Sequence, residues 1–377
     1  MQTRRGFLKR GLVATGTTLF AGSVGGRLVG NANASSTGNL GSNASDWVMP
    51  DEGERHAATW MAFGPSEAIW GHRLQRAARE GLASIAKAIG SFEPVNMLVR
   101  EEDYDVAQRM CGDSVHLIVQ PIDDLWIRDT GPVFVRTRSG EKAGVNFNFN
   151  GWGGKQAHAD DAKVADFVTR RAGERALKTS LVLEGGGIEV DGDGTAIITE
   201  SCALNRNRNP GVSKAACETE LRRLLGVRKI IWLPGIAGKD ITDGHTDFYA
   251  RFAQPGVVVA HLDNDTSSYD HAVTVRHLDI LRQSTDAAGR KLRVIVLPGP
   301  NRVRSAYESE AFAAGYINFY VCNGAVIAPQ FGDTQTDRST RDKLRDLFPK
   351  REIVQLNIDG IAGGGGGIHC TTQQQPA

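Results

Sequence analysis

Four short stretches of similar composition constrain the fold of this chain more than any other feature. Each combines a reactive or charged side chain with glycines or strand-like apolar residues, and the positions concerned are Asp129, Glu184, His245 and Cys370. They lie 55, 61 and 125 residues apart, so the last interval is about twice either of the others. Chance spacing is the alternative, but an even repeat predicts about five modules around one centre, each offering a strand end. Further modules are expected near residues 63–67 and 304–308.

Strand-like apolar runs alternate with helical stretches between these positions. Helical periodicity predicts helices over residues 70–89, 162–171 and 214–225. A hairpin is predicted from residues 181–190 and 195–199, joined by a tight Asp-Gly turn. The other predicted strands are residues 95–99, 115–120, 133–136, 229–233, 257–260, 294–297, 316–321 and 353–356. The alternation predicts an α/β or α+β fold with mixed sheets.

Composition and charge exclude some classes of protein. The chain has 377 residues, of which 41% are hydrophobic, so it can bury a sizeable core. Its 44 Lys and Arg residues nearly balance 43 Asp and Glu residues, which leaves a formal charge of +1. No global field therefore favours nucleic acid, and charged ligands must be recognised locally.

The first residues have the pattern of a targeting segment. Arg4 and Arg5 form a basic pair, a mildly apolar stretch follows, and Ala32-Asn33-Ala34 resembles a cleavage site. A membrane anchor fits less well, because the stretch is rich in Gly and Thr and contains Arg27. We therefore expect residues 1–34 to be a twin-arginine export signal, residues 35–45 a polar linker, and residues 46–377 a single catalytic domain. Export machinery would then be a partner, and the mature protein would be periplasmic or secreted.

The five cysteines do not form a recognisable disulfide or zinc framework. They are odd in number and irregularly spaced, and the sequence contains no CxxC or HExxH motif. The terminal "GGGGGIHC" raises three alternatives: a disordered tail, a His-Cys metal pair, or backbone shaped to present one thiol. A metal pair is disfavoured because adjacent residues of an extended chain point to opposite faces, so His369 should point away from the side that Cys370 faces.

The stretch "TDGHTDFYARF" brings an imidazole and a carboxylate together if it is a strand. Residues two apart then share a face, so His245 and Asp247 would point the same way. A structural His-Asp pair is the simpler interpretation. A free cysteine and two further carboxylates in matching stretches favour a reactive site.

Cysteine, histidine and several carboxylates suit a cationic substrate. A Cys-His peptidase needs hydrogen-bond donors where negative charge develops on oxygen, and it has no use for several acids. A planar guanidinium instead presents N–H donors that Asp or Glu accepts in pairs, and its positive charge lowers the pKa of a nearby thiol.

The chain resembles the agmatine deiminases, which form one family with the bacterial peptidyl-arginine deiminases. The resemblance runs from about residue 60 to the end. It is carried by "WIRDTGP", "NFNGWGGK", "EGGGIEVDGDGT", "CALNRNRNPG", "TDGHTDFYARF", "YINFYVCNGAVIAPQFGD" and "GGIHCTTQQQP". It implies the five-fold pseudosymmetric α/β propeller of guanidine-modifying enzymes, known as the pentein fold.

The resemblance also implies residue roles. Cys370 matches the nucleophile, His245 the general acid and base, and Asp129, Glu184 and Asp247 the acids that surround the guanidinium and orient the histidine. Asp124 matches a further acidic position. The implied reaction passes through a covalent thiouronium on cysteine, needs no metal or organic cofactor, and converts agmatine to N-carbamoylputrescine and ammonia.

Three departures leave the substrate open. Gly367 stands where the family usually has Asn, and we include it among the substrate-contacting positions. "TWMAFGPSEAIWG" and residues 302–316 differ around the far end of the pocket, where agmatine needs a partner for its ammonium and peptidyl arginine one for its carboxylate. Arg302 and Arg304 could bind a carboxylate, but solvated surface arginines are favoured. The alternatives are therefore a peptidyl-arginine deiminase or a non-catalytic guanidinium-binding protein, and the resemblance is compatible with a homodimer.

Overall fold

The computed structural model describes residues 46–377 except Glu308 and Glu310. The predicted export signal and linker lie outside the described residues. Within that part of the chain, no helix is both long and apolar enough to span a bilayer.

The described residues contain seventeen strands. In chain order they are β1 (Trp47–Val48), β2 (His56–Phe63), β3 (Val95–Val99), β4 (Val115–Val119), β5 (Val133–Thr137), β6 (Lys142–Asn146), β7 (Arg175–Lys178), β8 (Ile188–Val190), β9 (Thr195–Thr199), β10 (Lys229–Leu233), β11 (Ala250–Gln254), β12 (Val257–Leu262), β13 (Arg293–Pro298), β14 (Tyr320–Cys322), β15 (Ala325–Gln330), β16 (Glu352–Asn357) and β17 (Gln373–Pro376).

Ten α-helices lie between these strands in the described part of the chain. They are α1 (Glu67–Gly90), α2 (Tyr104–Cys111), α3 (Ile127–Thr130), α4 (Gly151–Gly154), α5 (Val164–Arg171), α6 (Glu200–Ala203), α7 (Lys214–Leu225), α8 (His271–Gln283), α9 (Thr334–Leu347) and α10 (Asp359–Ala362). The long helix α1 shows why such elements pack on the sheets. It buries Ala78, Leu82, Ile85 and Ile89, which recur at helical spacing along one face.

The described strands form five sheets that share one pattern. In each, a first strand pairs antiparallel with a central strand, which pairs parallel with a third strand after a helical crossover. The triplets are β5-β6-β7, β8-β9-β10, β11-β12-β13, β14-β15-β16 and β17-β2-β3, with β1 and β4 added at two edges. This five-fold repetition confirms the predicted α/β propeller.

The two ends of the domain meet in one sheet. Strand β17 pairs with β2, and Gln373 lies opposite Trp60. The module expected near residues 63–67 and the one that carries Cys370 are therefore the same module. Six module centres were expected, namely the four chemical positions and the intervals 63–67 and 304–308. Because the first and the last of them belong to one sheet, they correspond to five sheets.

Several sequence predictions need correction. Residues 181–183 form no strand, because the amide of Val182 bonds to the Asn209 side chain instead of a neighbouring strand. The hairpin is therefore limited to β8 and β9. Residues 316–319 form a turn, and the strand starts only at Tyr320.

The stretch around His245 also differs from its prediction. Thr246–Phe248 is a 3₁₀ turn, and β11 begins at Ala250. The strand periodicity that placed His245 and Asp247 on one face was therefore wrong.

The fourth module centre lies later than expected. Arg304 does not lead into a strand but pairs with Asp359 at 3.0 Å, and the first strand of that sheet is β14. Glu308 is the last residue of the expected module centre, 304–308, and lies outside the described residues. The position before β14 is occupied instead by Asn318.

Candidate active site

Each sheet contributes one polar side chain from the residues just before its first strand. Asp129 precedes β5, Glu184 precedes β8, His245 precedes β11, Asn318 precedes β14 and Cys370 precedes β17. Strand β11 contacts β8, and β17 contacts β5, so the first strands of neighbouring sheets adjoin. The repeat thus gathers five side chains that are far apart in sequence.

Short turns, rather than strands, aim most of these side chains. Asp129 lies in α3, Glu184 comes directly before the 3₁₀ turn Gly185–Gly187, and Cys370 lies in the 3₁₀ turn His369–Thr371. A Cβ atom at Gly186 would lie 2.6 Å from His245 Nδ1 and 2.8 Å from Asp129 Oδ1. Glycine is required there because the backbone passes directly against the cluster.

His245 is buried between two carboxylates. Its Nε2 lies 3.2 Å from Glu184 Oε2, and its Nδ1 lies 3.7 Å from Asp129 Oδ1. Burial opposes the charged ring, but Asp129, Cys202 and Glu184 outweigh it and hold the pKa of His245 well above its usual value. These neighbours favour the imidazolium form of the ring, which can donate a proton to a leaving group.

Glu184 orients this histidine from behind. Arg208 Nε donates to both oxygens of Glu184 at 2.8 and 2.9 Å, and Arg208 also donates to Asp243 at 2.8 Å. Although burial raises it, the pKa of Glu184 is held below its usual value by Arg208 and His245. Of its two predicted roles, orientation of His245 is supported by these contacts, because Arg208 holds the carboxylate and the carboxylate holds His245 Nε2.

Three of these side chains have the spacing of a metal site. Ligand atoms of Glu184, Cys202 and His245 lie within 4.8 Å of one another. The donor set itself would suit zinc. However, the guanidinium of Arg208 already occupies both oxygens of Glu184, and its charge opposes a second cation at the same carboxylate.

Cys370 and Asp247 form the other half of the cluster. Cys370 Sγ lies 3.5 Å from Asp247 Oδ2, and the Cys370 amide donates to Asn318 Oδ1 at 3.3 Å. The Asn318 amide in turn donates to Asp247 Oδ2 at 3.1 Å. Burial and the charges of Asp247 and Asp129 raise the pKa of the Cys370 thiol well above its usual value.

Asp247 differs from Cys370 in its state of charge. Burial raises its pKa, but the hydrogen bond and charge of His369, with further help from His245, lower it to about 2. Its Oδ1 atom is buried and has no hydrogen-bond partner among the described residues. An ionised oxygen without a partner can accept one further N–H donor.

A cavity of about 90 Å³ opens onto Cys370 and Asp129. Trp70, Trp126 and Trp152 supply much of its apolar wall, and both segments predicted to shape the far end contribute, through Ile69 and Trp70 and through Ala311. Trp152 has a φ of 55°, an uncommon backbone conformation, and its indole N–H donates to Asp129 at 2.9 Å. The strained residue thus fixes the Asp129 carboxylate and a pocket wall together.

Asp124 also lines this cavity. Its oxygens accept hydrogen bonds from the indoles of Trp70 and Trp126, at 2.7 and 3.1 Å, and from Gln156 at 3.0 Å. Burial raises the pKa of Asp124 to about 6 despite these donors. The predicted acidic position is therefore part of the pocket, away from the His245 half of the cluster.

The terminal glycines pack against pocket side chains. A Cβ at Gly364 would lie 2.2 Å from the Trp70 ring, and one at Gly366 would lie 2.1 Å from the Trp126 ring. Gly365 has a φ of 94°, which other residues rarely adopt. The described structure of this stretch therefore contradicts the disordered-tail alternative.

Gly367 lies between Asn318 and the Cys370 thiol, and its predicted substrate contact stays a prediction. It does not line the cavity, and its Cβ would lie 2.4 Å from Asn318 Oδ1. Its backbone N–H instead faces the Cys370 thiol, where it opposes the rise in pKa caused by burial. The missing side chain leaves room for Asn318.

Sequence reasoning missed several residues of the site. Asn318 was overlooked because the module was placed too early, although it lies within the matched stretch "YINFYVCNGAVIAPQFGD". Arg208 and Trp152 also lie in matched stretches. Their roles depend on Glu184 and Asp129, which are distant from them in the sequence. Arg304 is held by Asp359, and neither Arg302 nor Arg304 lines the cavity.

Five repeated sheets around a cysteine, a histidine and carboxylates define the pentein class of guanidine-modifying enzymes. Comparison with known proteins gives the particular family. The model of the Porphyromonas-type peptidyl-arginine deiminases matches residues 48–376. The chain therefore belongs to this family of hydrolases acting on C–N bonds.

Individual relatives agree with this assignment. The agmatine deiminase of Stutzerimonas stutzeri is 38% identical over 354 residues, covering 88% of this chain and 96% of the relative. That of Pseudomonas aeruginosa is 37% identical over 357 residues, covering 89% and 96%. The solved agmatine deiminase of Enterococcus faecalis has a TM-score of 0.81 and 33% identity, covering 88% of this chain and 96% of that one.

Proposed function

We propose that this protein hydrolyses agmatine to N-carbamoylputrescine and ammonia. One observation supports agmatine over a peptide ending in arginine. Every charged side chain among the described residues that line the cavity is an aspartate, namely Asp124, Asp129 and Asp240. Such a pocket favours a substrate with a second positive charge and disfavours one with a carboxylate.

The first chemical step uses the cation as its own activator. The guanidinium binds beside Asp129 and the unpaired oxygen of Asp247, and its charge stabilises the Cys370 thiolate, so the thiol gives its proton to solvent water. The thiolate then bonds to the guanidinium carbon. As the bond to one terminal nitrogen breaks, the His245 imidazolium gives that nitrogen a proton, and ammonia leaves.

Hydrolysis of the thiouronium intermediate reverses the proton transfer. His245, now neutral, takes a proton from water while the oxygen bonds to the same carbon. The carbon–sulfur bond then breaks, which returns Cys370 and releases the N-carbamoyl product. Glu184 keeps the imidazole in place through both steps, since it holds Nε2 at 3.2 Å.

A substrate panel tests the proposal. We expect ureido product and ammonia from agmatine, with much lower kcat/KM for free arginine and for a peptide with C-terminal arginine. Butylguanidine is the matched control, because it keeps the guanidinium and loses only the distal amine. Equal kcat/KM for butylguanidine and agmatine would remove the argument from the acidic lining, and no turnover of any guanidino compound would contradict the enzyme itself.

We also propose that the chain is exported by the twin-arginine machinery. The support is the sequence of residues 1–34, with the paired Arg4 and Arg5. Residues 1–45 fused to a reporter that folds before export should carry it out of the cytoplasm. Replacing both arginines by lysine keeps the charge and should stop export; export that persists in this variant would contradict the proposal.

A further inference from the structure

His369, the neighbour of the nucleophile, is held between two carboxylates. Its Nδ1 lies 2.8 Å from Asp247 Oδ2 and its Nε2 lies 2.9 Å from Glu52 Oε2. The residue is 2% exposed and each of its ring nitrogens faces a carboxylate, so neither nitrogen is left to contact substrate. It lies in a turn and contacts the rear of Asp247, although strand geometry predicted that it would simply face away.

The contact with His369 determines which oxygen of Asp247 remains available. Oδ2 accepts from His369 and from the Asn318 amide, whereas Oδ1 has no partner among the described residues. Because an ionised carboxylate can only accept, this hydrogen bond requires a proton on His369 Nδ1. Burial and the charges of Arg128 and Arg251 lower the pKa of His369, and the neutral ring with its proton on Nδ1 still meets that requirement. The imidazole therefore fixes the rotation of the carboxylate from the side opposite the substrate.

Glu52 anchors the far side of the imidazole. Its two oxygens accept from Arg251 at 2.7 Å, from Arg128 at 3.1 Å and from the Val321 amide at 2.9 Å. Burial raises the pKa of Glu52, but Arg251, His369 and Arg128 hold it well below its usual value. A carboxylate with so many fixed donors gives the ring an immobile support.

We propose that His369 is a positioning residue for the deimination reaction. It donates from Nδ1 to Asp247 Oδ2, so that Oδ1 is presented to a guanidinium N–H, and Glu52 holds the ring in that orientation. This inference rests on the proposed function, because it concerns how the same site binds its guanidinium. A bound guanidinium whose acceptor is free to rotate is held less tightly.

Two amide substitutions separate this role from simple packing. The side-chain amide of His369→Asn can place its N–H near the former Nδ1 and keep the donor to Asp247. That of His369→Gln reaches toward the former Nε2 and keeps contact with Glu52 while losing the donor to Asp247. Both remove the ring, so a residue that only fills space should respond to both substitutions in the same way.

The test is calorimetric binding in a Cys370→Ser background, where turnover does not interfere. The ligands are agmatine, butylguanidine and arginine, and the comparison uses whichever binds the parent most tightly. We expect His369→Gln to raise Kd about ten-fold or more, since a hydrogen bond to a charged group is lost, and His369→Asn to remain within about three-fold of the parent. Combined with Asp247→Asn, His369→Gln should have almost no additional effect.

One control variant and several contrary results separate failure of the positioning role from failure of the guanidinium site itself. His277→Gln replaces another buried histidine, in the peripheral helix α8, and should leave Kd unchanged. Equal losses for the Asn and Gln variants, or an undiminished effect of His369→Gln in Asp247→Asn, would overturn the positioning role alone. If no ligand binds the parent, the guanidinium site fails and this role fails with it. Thermal unfolding is measured throughout; if His369→Gln does not fold, binding by His369→Asn decides, with retention supporting the proposal and loss overturning it.

Discussion

Cys370 lies in surroundings that disfavour its reactive form until a cation arrives. The side chain is 6% exposed, and burial together with Asp247 and Asp129 raises the thiol pKa. The same carboxylates attract a guanidinium, whose charge reverses their effect on sulfur. We therefore expect the Cys370 thiolate to form chiefly beside a bound cation.

Replacement of Cys370 by serine tests the nucleophile. We expect Cys370→Ser to abolish ammonia release while the unfolding temperature stays close to that of the parent, because the side chain keeps its size but a hydroxyl is far less acidic. Substrate binding should persist. Ammonia release above about one hundredth of the parent rate would refute the assignment.

Replacement of His245 tests the acid and base. His245→Ala should lower kcat by roughly 10²- to 10⁴-fold, the usual contribution of general acid and base catalysis. Activity should not depend on added zinc or fall on chelation, because Arg208 already satisfies Glu184. A zinc-dependent rate would show that the Glu184, Cys202 and His245 cluster works as a metal site instead.

The pH dependence follows from Asp129. Burial raises its pKa to about 6, with the charge of His245 opposing and those of Glu184 and Asp247 adding to the rise. Only the ionised carboxylate, present above that pKa, attracts the guanidinium, so kcat/KM should fall about ten-fold per pH unit below pH 6. Asp124 has a pKa of about 6 as well, so the profile is repeated with Asp124→Asn. A flat profile down to pH 5, or a limb that disappears in Asp124→Asn, would contradict the assignment to Asp129.

At the scale of elements, the terminal glycine run is a packing surface for two indoles. Gly364 and Gly366 lie against Trp70 and Trp126, which stack with ring centroids 5.7 Å apart and both donate to Asp124. The run therefore connects the nucleophile turn to the acidic part of the pocket. The absence of side chains at these glycines, which makes the unfolded chain flexible, lets the folded backbone pack directly on the two indole rings.

Two alanine substitutions within this run give a matched test. Gly366→Ala puts a methyl 2.1 Å from the Trp126 ring, whereas the nearest atoms to a methyl at Gly363 are Leu74 Cδ1 at 3.0 Å and Asp359 O at 3.2 Å. We expect Gly366→Ala to cost about 1–3 kcal/mol of unfolding free energy and to raise the KM for agmatine, with a much smaller effect for Gly363→Ala. Denaturant unfolding and steady-state kinetics measure both. Equal unfolding free energies and equal KM values for the two variants would show that the Trp126 ring moves aside at little cost.

At the scale of the whole molecule, the propeller is closed by its own C-terminus. Strand β17 fills the first-strand position of the sheet that contains β2, β3 and β4, and Gln373 also donates to Pro132 O at 2.7 Å. The nucleophile comes three residues before this strand. The strand that completes this sheet therefore also holds in place the turn that carries the Cys370 thiol.

Truncation tests this dependence. Deletion of residues 373–377 removes β17 and leaves β2 as an unpaired edge, so we expect loss of cooperative unfolding and of activity. The control is a chain that begins at Asp46, which should keep both if residues 46–377 form the single domain. A C-terminal deletion that still unfolds cooperatively and turns over agmatine would contradict the closing role.

The amino-acid sequence by itself determined the family and the α/β alternation, and its motifs predicted one site from Asp129, Glu184, His245, Asp247 and Cys370, which the structure brings close together. These follow from local motifs and from apolar periodicity, which depend on residues close in the chain. Eight of the ten predicted strands have bounds within two residues of those observed for the same reason, whereas β2, β6, β7 and β15 were not predicted. The errors at residues 181–183, 245–249 and 316–319 fall where the chain leaves regular structure to present a side chain to the centre.

Only the tertiary structure decided how those residues are partnered. Asn318 joins Cys370 to Asp247, Arg208 holds Glu184 behind His245, and His369 links Asp247 to Glu52, a residue 317 positions earlier in the chain. Such contacts arise between modules, and no local pattern encodes which turns will face each other. The states of charge that make the chemistry possible depend in turn on burial and on these distant neighbours, so the sequence determined the reactive groups and the fold determined their reactivity.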